Sequence, residues 1–352
     1  MDPESLQSVT PTVADAVDAA VLTIAADASV VEAIAAMSGL AGPVGQPRTS
    51  YVLILSQGYP IGILTERDIV RLTATGANLS DVSVQRVMTS PVHVLKESAL
   101  QDIFAVLFLF RRYRIRHLPI VNDADELVGM VTPGSIRQVL RPANLLKLRR
   151  VSDVMSKDVL HTRRTTPVLS LAQRMAINRV SCMVIADVDS EQGLEAVTPV
   201  GIVTERDIVQ LRSMQLDLKS LVAQDVMSTP LFLLSPQDSL WDAHREMQHR
   251  RVRRLVVSWN WGQGLGIVTQ TSLLKIFDPI EMYGIIESMQ ATIHQLKAEP
   301  AAPQSKPAKS DQLGELLLDL EASLLQLSGG TASQQQTLTQ ALDTLNKIRQ
   351  QL

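Results

Sequence analysis

The sequence predicts an α/β protein of four tandem units, each a small three-stranded sheet packed with helices, with amphipathic, coiled-coil-like helices at the C-terminal end. Three observations carry this. The stretch Gly62-Ile63-Leu64-Thr65-Glu66-Arg67-Asp68-Ile69 returns as Gly201-Ile202-Val203-Thr204-Glu205-Arg206-Asp207-Ile208, with weaker copies beginning at Gly129 and Gly266. Copies spaced by roughly 65–72 residues mark repeated structural units. A Val-Met pair (Val87-Met88, Val154-Met155, Val226-Met227) recurs in register with them. Around each copy, short apolar runs bounded by turn residues alternate with stretches of helical period, the pattern strand–helix–strand–strand–helix.

In the first unit, Val21 to Ile24 reads as a short strand. Ser29 can cap a helix through Met37, whose Val30, Ala33, Ile34 and Met37 share one face. Gly39 to Pro47 is a loop by its Gly and Pro content. Tyr51 to Leu55 is a buried strand, Gln57 to Pro60 a turn, Ile61 to Leu64 the next strand, and a helix begins at Thr65. The second unit repeats the order: strand Pro91 to Val94, apolar helix Leu100 to Tyr113, strands Arg116 to Val121 and Leu127 to Val131, then a helix ending before Pro142. The third unit has a longer polar turn, Asp187 to Pro199, and the fourth ends near Phe277. Beyond Pro279 the pattern changes. Met282, Ile286, Met289, Ile293 and Leu296 step by four and three, as in a coiled-coil seam. Residues 298–310 read as a disordered linker, and leucines from 313 to 352 give two further seams.

Composition bounds the function. At 45% hydrophobic and 20% charged, 352 residues make an ordinary multi-domain globular chain. Aromatics are 3%, so the core is aliphatic, and a net charge of −3 argues against a field that attracts nucleic acid. Arg111, Arg112 and Arg114 lack interleaved aromatics for base stacking. Cys182, in the apolar run Cys182 to Ile185, reads as a small core residue. No signal peptide and no apolar run of membrane-spanning length is present, so a cytoplasmic protein is expected. The six histidines show no metal-ligand spacing, and no catalytic constellation stands out, so no enzymatic activity is expected.

Thr-x-x-Asp at a helix start is a capping arrangement, and capping alone explains the Thr in all four copies. The same geometry suits a nucleotide. A helix N-terminus with free N–H groups and a hydroxyl can hold phosphate, and a carboxylate one turn on can accept from ribose hydroxyls. Arginines on a facing strand would neutralise the phosphate. Arg48, Arg114 and Arg116, Arg179, and Arg251, Arg253 and Arg254 recur at one point of the repeat. Asp68 and Asp207 become Ser135 and Ser272 in the weaker copies, which predicts ligand in the first and third units.

The Val-Met entry, Arg116-His117-Leu118-Pro119-Ile120-Val121 and the Gly-Ile-Val-Thr-Glu-Arg-Asp-Ile motif together resemble CBS domains, named after cystathionine beta-synthase. The resemblance covers residues 13–278 and implies domains at 13–75, 82–142, 148–213 and 219–278, paired into two Bateman modules. A flexible leader (1–12), an exit helix (279–297) like that of bacterial CBS-containing sensors, the linker and a helical tail (311–352) flank them. The family's ligands imply an adenine nucleotide (AMP, ADP or ATP), S-adenosylmethionine or cyclic di-AMP bound between paired domains. Carried over, the first site would use Arg48, Ile63, Thr65 and Asp68, with Val92, His93, Arg116 and His117 from the second unit. The other would use Arg179, Ile202, Thr204 and Asp207, with Leu231, Phe232, Arg253 and Arg254. The layout resembles the gamma subunit of AMP-activated protein kinase. The expected protein is a regulator that relays occupancy through its C-terminal helices to a homodimer or a signalling partner; the rival is a scaffold of ligand-free units.

Overall fold

The structure is a computed structural model that describes residues 13–40, 48–99, 103–140, 146–147, 149–191, 194–260 and 264–277. The leader, most of the loop through Pro47, the exit helix, the linker and the tail expected above lie outside the described residues.

Each unit builds its own three-stranded sheet from one parallel and one antiparallel pairing. In the first, β1 (Thr23–Ala25) runs parallel to β2 (Tyr51–Ser56), which pairs antiparallel with β3 (Tyr59–Thr65). Helices α1 (Val30–Met37) and α2 (Glu66–Ala74) cover it. Ser29 caps α1 as expected, its Oγ accepting from Glu32 N at 3.1 Å while Glu32 reaches back to Ser29 N at 2.7 Å. The second unit follows with β4 (Leu95–Lys96), α3 (Ile103–Arg112), β5 (Leu118–Val121), β6 (Leu127–Val131) and α4 (Pro133–Leu140). The third has α5 (Val151–Val154), β7 (His161–Thr162), α6 (Val168–Asn178), β8 (Cys182–Glu191), β9 (Leu194–Thr204) and α7 (Glu205–Ser213). The fourth has α8 (Ala223–Val226), β10 (Leu233–Leu234), α9 (Leu240–His249), β11 (Arg254–Trp259), β12 (Gly264–Thr269) and α10 (Gln270–Leu273).

Two stretches differ from the sequence expectation. Pro91 to Val94 is not a strand; the second unit's first strand is β4, two residues long. The proline has no N–H for a ladder, and the segment instead crosses from one sheet to the next. Asp187 to Pro199 is not a long turn. β8 and β9 stay paired from Cys182↔Thr204 out to Glu191↔Leu194, because alternation of Asp187, Val188 and Asp189 satisfies a two-residue period despite its polarity.

The entry segments trade places within each pair of units. Asp18 bridges to Met130 of the second unit, while Thr89, entering the second unit, bridges back to Ile63 of the first. Ser156 and Ile267, and Ser228 and Ile202, repeat the exchange in units three and four. The Val-Met pairs sit on this crossing. A Cβ at Gly62 or Gly201 would collide with Met88 or Met227, and one at Gly266 would crowd Met155. Val17 takes the same role against Gly129, so the first unit has a counterpart of the pair that its sequence, Ala16-Val17, disguises.

Sheets face each other inside a pair. Tyr51, Leu53, Ile63 and Met130 form one buried sheet-to-sheet cluster, and Cys182, Val184, Val256 and Ile267 the other. Helices join the pairs to one another. Val209 of α7 enters the first unit's core, Val70 of α2 enters the third unit's, and the second and fourth units share one continuous core.

Candidate functional site

Four Thr-motifs end four antiparallel strands, so each threonine sits opposite the first residue of the preceding strand. Thr65 faces Tyr51, Thr204 faces Cys182 and Thr269 faces Arg254. In the second unit Leu118 faces Val131, which sets His117 opposite Thr132. The helix then starts on the threonine. Asp68 Oδ2 accepts from Thr65 N at 3.0 Å and from Thr65 Oγ1 at 2.7 Å. Asp207 Oδ2 accepts from Thr204 N at 2.7 Å and Oγ1 at 2.8 Å. The serines do the same capping. Thr132 N donates to Ser135 Oγ and Ser135 N to Thr132 Oγ1; Thr269 and Ser272 repeat this. A helix start of this kind therefore closes without an acid.

The two acids differ in their second oxygen. Asp68 Oδ1 meets Arg71 at 3.1 Å on its own helix. The position of Arg71 is Gln210 in α7, and Gln210 accepts from Arg48 Nη1 of the first unit at 2.6 Å. Burial pushes the Asp207 carboxyl above its usual range, opposed by the Thr204 bonds and by Arg254 and Arg206.

The expected partners gather unevenly around these acids. His117 lies against Ser50 (Oγ to Nε2, 3.1 Å) and the Tyr51 ring (4.7 Å between centroids), and so beside Thr65. Burial, then the Arg116 charge, pushes its pKa down to about 3. His117 is therefore neutral at neutral pH. Arg116 reaches Glu205 Oε2 at 3.8 Å; burial, its leading influence, pulls its pKa down, opposed by Glu205. Arg253 reaches Glu66 at 3.9 Å, and Arg254 acts on both Asp207 and Cys182. Burial raises the Cys182 thiol, which keeps it an inert core group. Val92 packs at the edge of the first sheet-to-sheet cluster, and Leu231 and Ile202 at the edge of the second. Other expected residues stand further off. His93 is exposed and stacked on Tyr113 at 4.1 Å, Phe232 lies under Arg250 at 4.4 Å, and Arg179 is an exposed, left-handed C-cap of α6.

A model of the CBS domain matches residues 13–74, 84–142, 151–213 and 222–278. The chain belongs to the CBS domain family. A Methanopyrus kandleri protein without assigned function is 36% identical over 26% of this chain and 45% of its own length. A homoserine O-acetyltransferase of Methanococcoides burtonii is 30% identical over 38% of this chain and 25% of its own. The chain thus spans less than half the length of either relative. Among solved structures, a Methanocaldococcus jannaschii protein described as a putative archaeal homolog of γ-AMPK superposes with a TM-score of 0.62. It is 17% identical and is covered over 99% of its length by 76% of this chain.

The four CBS units meet through residues that the motif comparison passed over. Glu66 accepts from Arg206 Nε at 3.2 Å, and Glu205 accepts from Arg67 Nε at 3.2 Å. Both glutamates are buried, and the pairs are reciprocal across the two CBS modules. The signal was legible: Glu-Arg stands in the first and third motifs, where the other two have Pro133-Gly134 and Gln270-Thr271. A cavity of about 530 Å³ opens elsewhere, among Met155, Lys157, Ser258, Trp259 and Asn260. It lies at the end of β11 remote from Thr269 and includes none of the expected site residues.

Proposed function

We propose that the protein is a regulatory sensor that binds an adenine nucleotide, or a related adenosyl ligand such as S-adenosylmethionine or cyclic di-AMP, in two clefts. One lies at Thr65 and Asp68, the other at Thr204 and Asp207, each in the module of its own CBS unit. The observation that carries this reading is that Ser135 and Ser272 close the same caps without an acid. Capping therefore leaves the two aspartates unexplained, and a ribose diol is the acceptor-seeking group that fits a carboxylate beside a helix N-terminus. Arg254, whose charge acts on Asp207, would supply charge for phosphate in the second cleft; Arg116 and Arg253 stand beside Glu205 and Glu66 of the opposite module's motifs and would have to turn toward their own clefts to do the same. Occupancy would be relayed only if the ligand favours one packing of the units over another. The segment after residue 278, expected from the sequence to be helical, is the proposed relay, to a second copy or a partner protein.

The test follows from the caps. Asp68→Ser together with Asp207→Ser copies the cap of the other two units and removes only the acids. Thermal unfolding with AMP, ADP, ATP, S-adenosylmethionine and cyclic di-AMP should show one of them stabilising the native chain. At a hundredfold excess over Kd the gain is about 2.7 kcal/mol. The double variant should lose at least about tenfold in affinity, roughly 1.4 kcal/mol. Equal affinity in the variant would overturn the assignment, and no response from any ligand would favour a scaffold of ligand-free units.

A further inference from the structure

The fifth residue after each motif threonine points between modules. It is Val70, Val209 and Leu274 in three CBS units, exposed by 2, 3 and 7%. In the second unit it is Arg137, exposed by 8%. The facing helix shows a matching change. Five residues past the N-caps Ser29, Pro167 and Ser239 stand Ile34, Ala172 and His244. Ile34 shares a core cluster with Val209, and Ala172 shares one with Val70. Arg137 and His244 thus replace an apolar pair at the junction of units two and four.

The replacement is unbalanced. Arg137 Nε and Nη1 are buried and have no hydrogen-bond partner among the described residues. His244 adds a donor rather than an acceptor: Gln248 Nε2 lies 3.1 Å from its Nε2 and can only donate, which leaves the ring proton on Nδ1. Burial, then the Arg137 charge, holds the imidazole below its usual pKa. Trp241 stacks on His244 at 5.5 Å, and Lys147 sits over Trp241 at 5.9 Å, a second cation beside Arg137. The nearest acids of α9 are engaged elsewhere, Asp242 with Ser239 and Arg245, and Glu246 with Arg250. The chain from 141 to 148 contains no Asp or Glu.

We propose that this junction is a binding site for a small oxyanion of phosphate type, with Arg137 as its main donor and His244 and Lys147 at its flanks. A buried guanidinium without an acceptor is costly, and three sister units show that the fold accepts an apolar side chain there. A multi-oxygen anion can accept from one edge of the guanidinium and still offer oxygens to the flanking His244 and Lys147, which a single carboxylate cannot. The site is separate from the nucleotide clefts and does not depend on them.

The test uses the full chain, with inorganic phosphate titrated at constant ionic strength against chloride. Wild type, Arg137→Leu and Arg254→Ala are compared by thermal unfolding and calorimetry. Wild type should gain about 3 °C in Tm with millimolar phosphate. Arg137→Leu should lose that response while its phosphate-free Tm is at least that of wild type, and Arg254→Ala should keep it. Loss in Arg254→Ala with retention in Arg137→Leu would place the anion in the nucleotide clefts and overturn the proposal. So would an unresponsive wild type. If Arg137→Leu does not fold, His244→Leu must weaken phosphate severalfold; unchanged affinity overturns the site equally. AMP in place of phosphate separates a free anion from a nucleotide's phosphoryl group: response to phosphate alone supports the proposal, and response to AMP alone overturns it.

Discussion

Burial keeps the His117 imidazole neutral, and this gives the protein a specific pH signature. The ordinary pKa of 6.5 applies to the unfolded chain, and the folded value is about 3. Between them the unfolded state binds a proton that the folded state refuses. The stabilisation is therefore complete above pH ~6.5 and is lost as pH falls toward ~3, by about 1.4 kcal/mol per pH unit. Urea unfolding measured from pH ~7 down to ~5 should show this slope, and His117→Gln should flatten it by one proton's worth. An identical slope in the variant would mean the ring is not held neutral. At this scale the motif residues were readable because the register of Gly, Thr and Asp is a local property of one strand and one helix. The neutrality of His117 was not. It depends on Ser50 and Tyr51, which approach from another unit more than sixty residues away in sequence.

At the scale of elements, the third strand of each sheet leaves no room beside its glycine. Gly62 lies under Met88, and an added Cβ would meet its Sδ and Cγ. Gly62→Ala should therefore cost about 1–3 kcal/mol, measured by denaturant unfolding. Met88→Ala in the same chain should recover part of the loss, since it opens the space. A neutral Gly62→Ala would show that the entry segment does not pack as described. The extent of helix α1 and the start of α2 were legible, because caps and periodicity lie within about ten residues. The crossing segment at Pro91 was not, since a short run with alternate valines suits a strand as well as a bridge between sheets. Nor was the long β8–β9 hairpin. Its alternating acids satisfy a strand's period but carry the composition of a turn, and pairing decides the outcome only once both arms exist.

On the scale of the whole molecule, the two modules are joined by apolar exchange and by crossed ion pairs. Glu66 and Glu205 are each held by an arginine from the opposite module and by one from a further unit. Arg67 is half exposed, so solvent screens its share. A double-mutant cycle of Arg67→Ala with Glu205→Ala should give a coupling of about 1 kcal/mol. Zero coupling would mean that this ion pair contributes nothing to holding the modules together. Among the described residues no helix is long and apolar enough to cross a membrane.

The exchange of entry segments also governs how the chain can come into being. Asp18 finds its partner at Met130, and Ser156 finds its partner at Ile267. Closing such loops costs entropy before any contact repays it. During synthesis the first sheet pair stays open at one edge until about 130 residues have emerged. The smallest fragment with every sheet edge answered is thus a pair of units. A cut between the first and second would strand two edges rather than release two domains.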